Sequence, residues 1–190
     1  MIILDLLKYF AKFPHKDGVL DIFYNGTSQY PQYLELKEYV SSLPDSLVPE
    51  IQSLVFGSSL ESVKARVNKI TGSYLFVDFG EFSCSRDMRN SIEDSQRLAV
   101  TVAFKISTSS DIMEEAIVSD MSLQLLNQVR GCMLADSEQQ ERWLEKLSSD
   151  HTIVPFEAPD LSSVGWTLMF DISGSDWFNL KQVSRSFQFS

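Results

Sequence analysis

Residues 97–106 read Arg97-Leu98-Ala99-Val100-Thr101-Val102-Ala103-Phe104-Lys105-Ile106. Leu98, Val100, Val102, Phe104 and Ile106 alternate with Arg97, Ala99, Thr101, Ala103 and Lys105. A period of two sends successive side chains to opposite faces, so the spacing predicts a strand over 97–107 with one face buried. Working upstream, Tyr74-Leu75-Phe76-Val77-Asp78-Phe79 is aromatic and β-branched and predicts a second strand near 74–82. Residues 85–96 between them are polar and charged. The two strands therefore form a long hairpin with a polar tip.

Downstream, Asp111 and Glu114 have the spacing of a helix cap. Ile112, Ala116, Ile117, Met121, Leu125, Leu126, Val129, Cys132 and Met133 then mark one apolar stripe over 111–135. At 1.5 Å per residue that helix is about 37 Å long, enough to cross a sheet diagonally. Ser137 and Gln140 are placed to open a shorter helix carrying Trp143, Leu144 and Leu147. Ile153, Val154 and Phe156 predict a strand over 152–156, bounded by Pro155 and Pro159. Val164, Trp166, Leu168, Phe170 and Ile172 alternate again and predict a strand over 164–173. Paired strands with grouped helices indicate an α+β fold with a mainly antiparallel sheet packed on the long helix.

The segment before residue 72 reads as helix-rich. Ile2, Ile3, Leu6, Leu7, Phe10 and Phe13 recur at helical spacing until Pro14. Val19 to Tyr24 predicts a short strand closed by the turn signal Asn25-Gly26. Tyr33, Leu34, Leu36, Tyr39, Val40 and Leu43 predict a second helix ending at Pro44. An apolar run around Pro49 covers 46–56. Ser58 and Glu61 are spaced as a capping box before Leu60, Val63, Val67 and Ile70, and Gly72 stands where a helix-terminating glycine is expected. We thus expect a single domain over 1–190: a helix-rich segment 1–72, an α+β core 73–173, and an aromatic arm 174–190.

The chain has 190 residues, 16 Lys+Arg against 26 Asp+Glu, and a formal net charge of −10. Hydrophobic content of 44% suits a folded core rather than disorder. Residues 111–173 hold 12 acids and 3 bases, a net of −9 and nearly all of the total. Such a field opposes phosphate backbones and anionic lipid, and attracts basic partners. No secretory leader and no membrane-length apolar run is read from the sequence, so a cytoplasmic setting is expected.

Searches for chemistry return little. Asp78-Phe79-Gly80 copies the kinase magnesium tripeptide, but the glycine-rich loop, strand lysine and catalytic loop are missing upstream, so a strand end with a glycine turn is expected. Asn25-Gly26-Thr27 matches a glycosylation acceptor and reads more simply as a turn. Cys84, Cys132, His15 and His151 form no recognisable nucleophile–base motif, and their spacing makes no metal site. The chain is expected not to be an enzyme, with no catalytic residue, no cofactor and no metal.

From Tyr74 to Ile172 the order is strand, polar hairpin, alternating strand (Leu98 to Ile106), long helix opened by Asp111, and a late strand Gly165-Trp166-Thr167-Leu168-Met169-Phe170-Asp171-Ile172. This layout resembles the tail-terminator, tail-completion and head–tail joining proteins of long-tailed bacteriophages and prophages. The resemblance implies a small structural subunit that forms a homo-oligomeric ring, a hexamer in that family. The ring caps the tail tube and joins it to the head connector, with DNA passing through without specific binding and no membrane involved. It also implies a virion protein assembled in the bacterial cytoplasm. A ring needs two different surfaces that dock on each other. Arg86, Asp87, Arg89 and Asn90 in the hairpin loop, and Trp177, Phe178, Phe187 and Phe189 in the arm, are the candidate interface residues. The competing expectation is a small cytoplasmic acidic adaptor or immunity-type binding module, using the acidic helices of 111–148 against a basic partner.

Overall fold

The alternating segment is the spine of the sheet. In the computed structural model, which describes residues 2–24, 26–86, 92–107, 111–139, 147 and 150–175, strand β4 spans Ile92–Lys105. It pairs antiparallel with β2 (Ser73–Asp78), β3 (Phe82–Arg86) and β6 (Ser163–Ser175). Strand β1 (Ser53–Gly57) lies parallel to β2, and β5 (Thr152–Ala158) pairs antiparallel with β6. The order across the sheet is β1-β2-β4-β6-β5, with β3 paired to the far part of β4. The helices are α1 (Ile2–Phe10), α2 (Lys16–Leu20), α3 (Pro31–Ser42), α4 (Leu60–Val67) and α5 (Ile112–Gln139). The fold is α+β.

The period of two divides the core. Leu98, Val100 and Val102 face one side with Leu75, Val77, Leu168, Phe170 and Ile172, and meet Leu126, Val129 and Met133 of α5 and Phe10 and Phe13 of the first helical segment. Each such side chain, fully withdrawn from water, contributes about 1.5–3 kcal/mol. The opposite face carries Val55, Tyr74, Phe76 and Ala103, covered by Val63 and Val67 of α4 and by Leu161. Farther across that face the exposed side chains of Arg97 and Asp171 pair at 3.3 Å.

Several expectations are corrected. Residues 19–24 are not a strand. Val19 ends up in α2 and Phe23 in a 3-10 turn over Asp21–Phe23. The two are four positions apart and both are buried, so packing on one helical side overrides the β-branched composition. The run around Pro49 contains β1, which makes the sheet mixed at that edge. The cap of α4 is Ser59, whose hydroxyl accepts from the Ser62 N–H at 3.2 Å, one residue after the expected Ser58. Gly72 lies beyond the helix end, which is capped at Asn68, and leads into β2.

The strand expected over 74–82 is two strands. Gly80 has φ +52°, a left-handed conformation that breaks pairing, and its N–H donates to Asp78 Oδ1 at 2.8 Å. The Asp78-Phe79-Gly80 tripeptide is thus a strand end and turn. Strand β5 runs through Pro155, which is opposite Trp166. An edge strand tolerates proline because the missing N–H can face away from the ladder. Ser137 does not open a new helix. It lies inside α5 and its hydroxyl donates to the Leu134 carbonyl. The expected helix with Trp143 and Leu144 falls outside the described residues, while Leu147 is buried.

Candidate protein-docking surface

Helix α5 has 28 residues, about 42 Å at the ordinary rise. It packs on β6 and β4. Residues 112–117 are exposed on every side of the helix, so its start overhangs the sheet. The apolar residues of α5 fall on different sides of the helix and have different fates. Ser122, Leu125, Leu126, Val129 and Met133 are buried. Ile112, Met113, Ile117 and Met121 are 81%, 64%, 56% and 46% exposed. Met113, Ile117 and Met121, spaced four residues apart, form an apolar ridge along one side of the first ten residues of α5, while Ile112 lies on another side, in the wall of a groove.

Local chemistry holds the overhang in place. Asp111 Oδ1 accepts from the N–H groups of Met113 and Glu114, both at 2.9 Å, and the Asp111 N–H donates to Glu114 Oε2 at 3.3 Å. This is the capping box that the Asp111–Glu114 spacing implied, and it satisfies donors that an exposed helix start would otherwise leave to water. At the point where the helix meets the sheet, Trp166 Nε1 donates to the Ser119 carbonyl at 3.1 Å and lies 2.9 Å from its hydroxyl. Trp166 is thus the bracket from which the ridge extends.

Between the overhang and the ends of β4, β5 and β6 lies a groove of about 510 Å³. Ile106, Ile112, Ala116 and Val164 supply apolar walls, and Glu115 and Glu157 lie at its sides. Beside it, the Lys105 ammonium donates to the Leu161 carbonyl and pins the turn after β5. Burial pushes the Lys105 ammonium below its ordinary value.

Other polar features hold elements together. Arg66 Nε donates to the Leu54 carbonyl at 3.2 Å, and its terminal nitrogens donate to the carbonyls of Asp21 and Gly18. Burial lowers the Arg66 pKa, against the opposing influence of Asp21 and Tyr24. Arg130 Nε donates to His151 Nε2 at 2.9 Å, so that nitrogen is the acceptor and Nδ1 donates to the Leu147 carbonyl at 2.7 Å. His15 caps α2 through Nδ1. Cys132 is half-buried on α5, and Cys84 belongs to β3. Among the described residues no group of three His, Cys, Asp or Glu side chains is placed to hold a metal ion. Among them, too, no helix is long and apolar enough to cross a membrane.

Of the interface residues expected from sequence, Arg86 closes β3, in register with Ile92. Asp87, Arg89, Asn90, Trp177, Phe178, Phe187 and Phe189 lie outside the described residues. The ridge itself was not singled out from sequence. The 3.6-residue period, which turns Met113, Ile117 and Met121 away from Leu126, Val129 and Met133, is the signal that would have found it. Comparison with protein-family models, with curated proteins and with solved structures finds no match to this chain.

Proposed function

We propose that this chain is a non-catalytic assembly subunit of a phage or prophage tail. In this reading it associates with copies of itself as a ring, caps the tail tube or joins it to the head connector, and travels in the virion after assembly in the bacterial cytoplasm. The carrying observation is the α5 overhang: a rigid, capped helix start that presents Ile112, Met113, Ile117 and Met121 to solvent. An apolar patch held this firmly marks a contact surface for protein. The strand–hairpin–strand–helix–strand order that suggested tail completion supports the same reading.

The test is the mass of the full chain by light scattering, alone and with the tail-tube protein of the same phage or prophage, followed by electron microscopy of the mixture. The expected result is a closed oligomer that caps tube ends. A chain that stays monomeric in both conditions sinks the proposal. The acidic residues Glu114, Glu115 and Asp120 beside the ridge favour one alternative, an adaptor that stays monomeric and takes a single basic partner.

A further inference from the structure

We infer that residues 176–190 of one copy seat on the α5 ridge and its groove in a second copy. The inference rests on the assembly reading above and names both the surface and its occupant. The ridge is apolar, and its surroundings are acidic: Asp111, Glu114, Glu115 and Asp120 on α5, and Glu157 along the groove. Two copies meeting ridge to ridge would bring these carboxylates together. Anionic lipid and phosphate are repelled by the same charges. The surface therefore accepts an occupant that is apolar and basic.

Residues 176–190 have that composition. They read Asp176-Trp177-Phe178-Asn179-Leu180-Lys181-Gln182-Val183-Ser184-Arg185-Ser186-Phe187-Gln188-Phe189-Ser190. Six side chains are apolar, four of them aromatic. Lys181 and Arg185 are basic, and no acid follows Asp176.

Reach limits which part of the segment can seat within one copy. The ridge joins the sheet at Trp166, through Ser119. Ser175, where β6 ends, is nine residues farther along the same strand, about 30 Å away at the usual strand rise. A fully extended chain gains at most about 3.6 Å per residue, so from Ser175 Trp177 reaches about 7 Å and Leu180 about 18 Å. Trp177, Phe178 and Leu180 cannot touch the ridge of their own copy. Phe187 and Phe189 reach about 43 and 50 Å, far enough to do so, but only a second copy can take the whole segment. Segment and ridge are different surfaces, so passed from copy to copy the contact is head-to-tail and generates a ring where the rotation closes.

The experiment places the photo-cross-linker benzoylphenylalanine at Phe187 of the full chain and mixes ¹⁵N-labelled with unlabelled chains before illumination. Adducts are expected on residues 112–121, with mixed-isotope pairs as frequent as same-isotope pairs. Same-isotope pairs alone would mean seating within one copy and would overturn the inference. So would adducts elsewhere, or none. Ile117→Lys with Met121→Lys, both at exposed positions, should abolish the adducts while leaving the circular dichroism unchanged. Lys181→Glu with Arg185→Glu should cut adduct yield about tenfold. Adding Glu115→Lys with Asp120→Lys, which leaves the Asp111–Glu114 cap intact, should restore it, and failure to restore counts against the charge pairing. A closed oligomer on tube protein without these adducts would end this inference and leave the assembly reading standing. Adducts between copies that never cap tube ends would do the reverse.

Discussion

The hydroxyls of Thr101 and Thr167 face each other at 2.7 Å from directly opposed positions of β4 and β6, and both residues are buried. Removing one partner strands the other in a dry site, which costs about 1–3 kcal/mol, whereas removing both together is nearly neutral. Urea denaturation should therefore show Thr101→Val destabilised, with the Thr101→Val/Thr167→Val pair close to the parent chain. Equal losses for the single and double variants would refute this. Two rows away, Gly165 lies so close to the Val102 carbonyl that an added Cβ would collide with it. Gly165→Ala should cost about 3 kcal/mol through overpacking, read as a lower midpoint at unchanged slope. The alternation made Thr101 and Thr167 visible as strand residues, but their pairing depends on register, which no local signal carries.

A third residue-scale expectation concerns Asp136. Partial burial works to raise its carboxyl, but hydrogen bonds from Lys12 at 2.5 Å and Tyr9 at 2.8 Å, together with the Lys12 charge, outweigh that and hold it below the ordinary carboxylate range. A depressed carboxyl contributes stability that is complete above the unfolded-state value near ~3.9 and is lost as pH falls through the lower folded value. Asp136→Asn should remove about 1 kcal/mol at neutral pH and flatten the acid limb of the stability curve. A parallel downward shift at every pH would assign the loss to packing instead.

At the scale of elements, α5 carries a buried apolar side and, on its first ten residues, a separate exposed one. Leu126→Ala, in the supported part, should cost about 2–5 kcal/mol. Ile117→Lys, on the overhang, should stay within about 0.5 kcal/mol and change only association. Thermal melts of the two variants side by side check the contrast, and equal losses would mean that the overhang is covered within one copy. The long strands and α5 were legible because their periods are sustained over ten residues or more. Strand β1 was not, since five residues beside a proline carry too little pattern. The stretch from Val19 was misread because β-branched side chains fill a buried helical side as well as a strand. The ridge escaped notice for a different reason: Ile117 and Met121 fit a loose apolar stripe in the sequence, but the period of 3.6 turns them away from its buried side.

At the scale of the molecule, charge and shape act together. The acidic stretch 111–173 frames the ridge, so head-to-tail association through basic residues should weaken as salt rises through the range where surface charges are screened. Sedimentation at low and high ionic strength measures this, and oligomers that strengthen steadily with salt would point to an apolar contact alone.

The central place of β6 has a mechanical consequence. One end of the strand, at Val164, lines the groove, and the other, at Ser175, leads into residues 176–190. Along its length it is paired to β4 from Ser163 to Ser175 and to β5 from Ser163 to Met169. Tension entering at Ser175 runs along the strand axis, at right angles to the antiparallel hydrogen bonds on both flanks. Those bonds are loaded together in shear and cannot be unzipped one at a time. A subunit pulled by its neighbour through this strand passes the load into β4, the spine of its sheet, along the whole of β6.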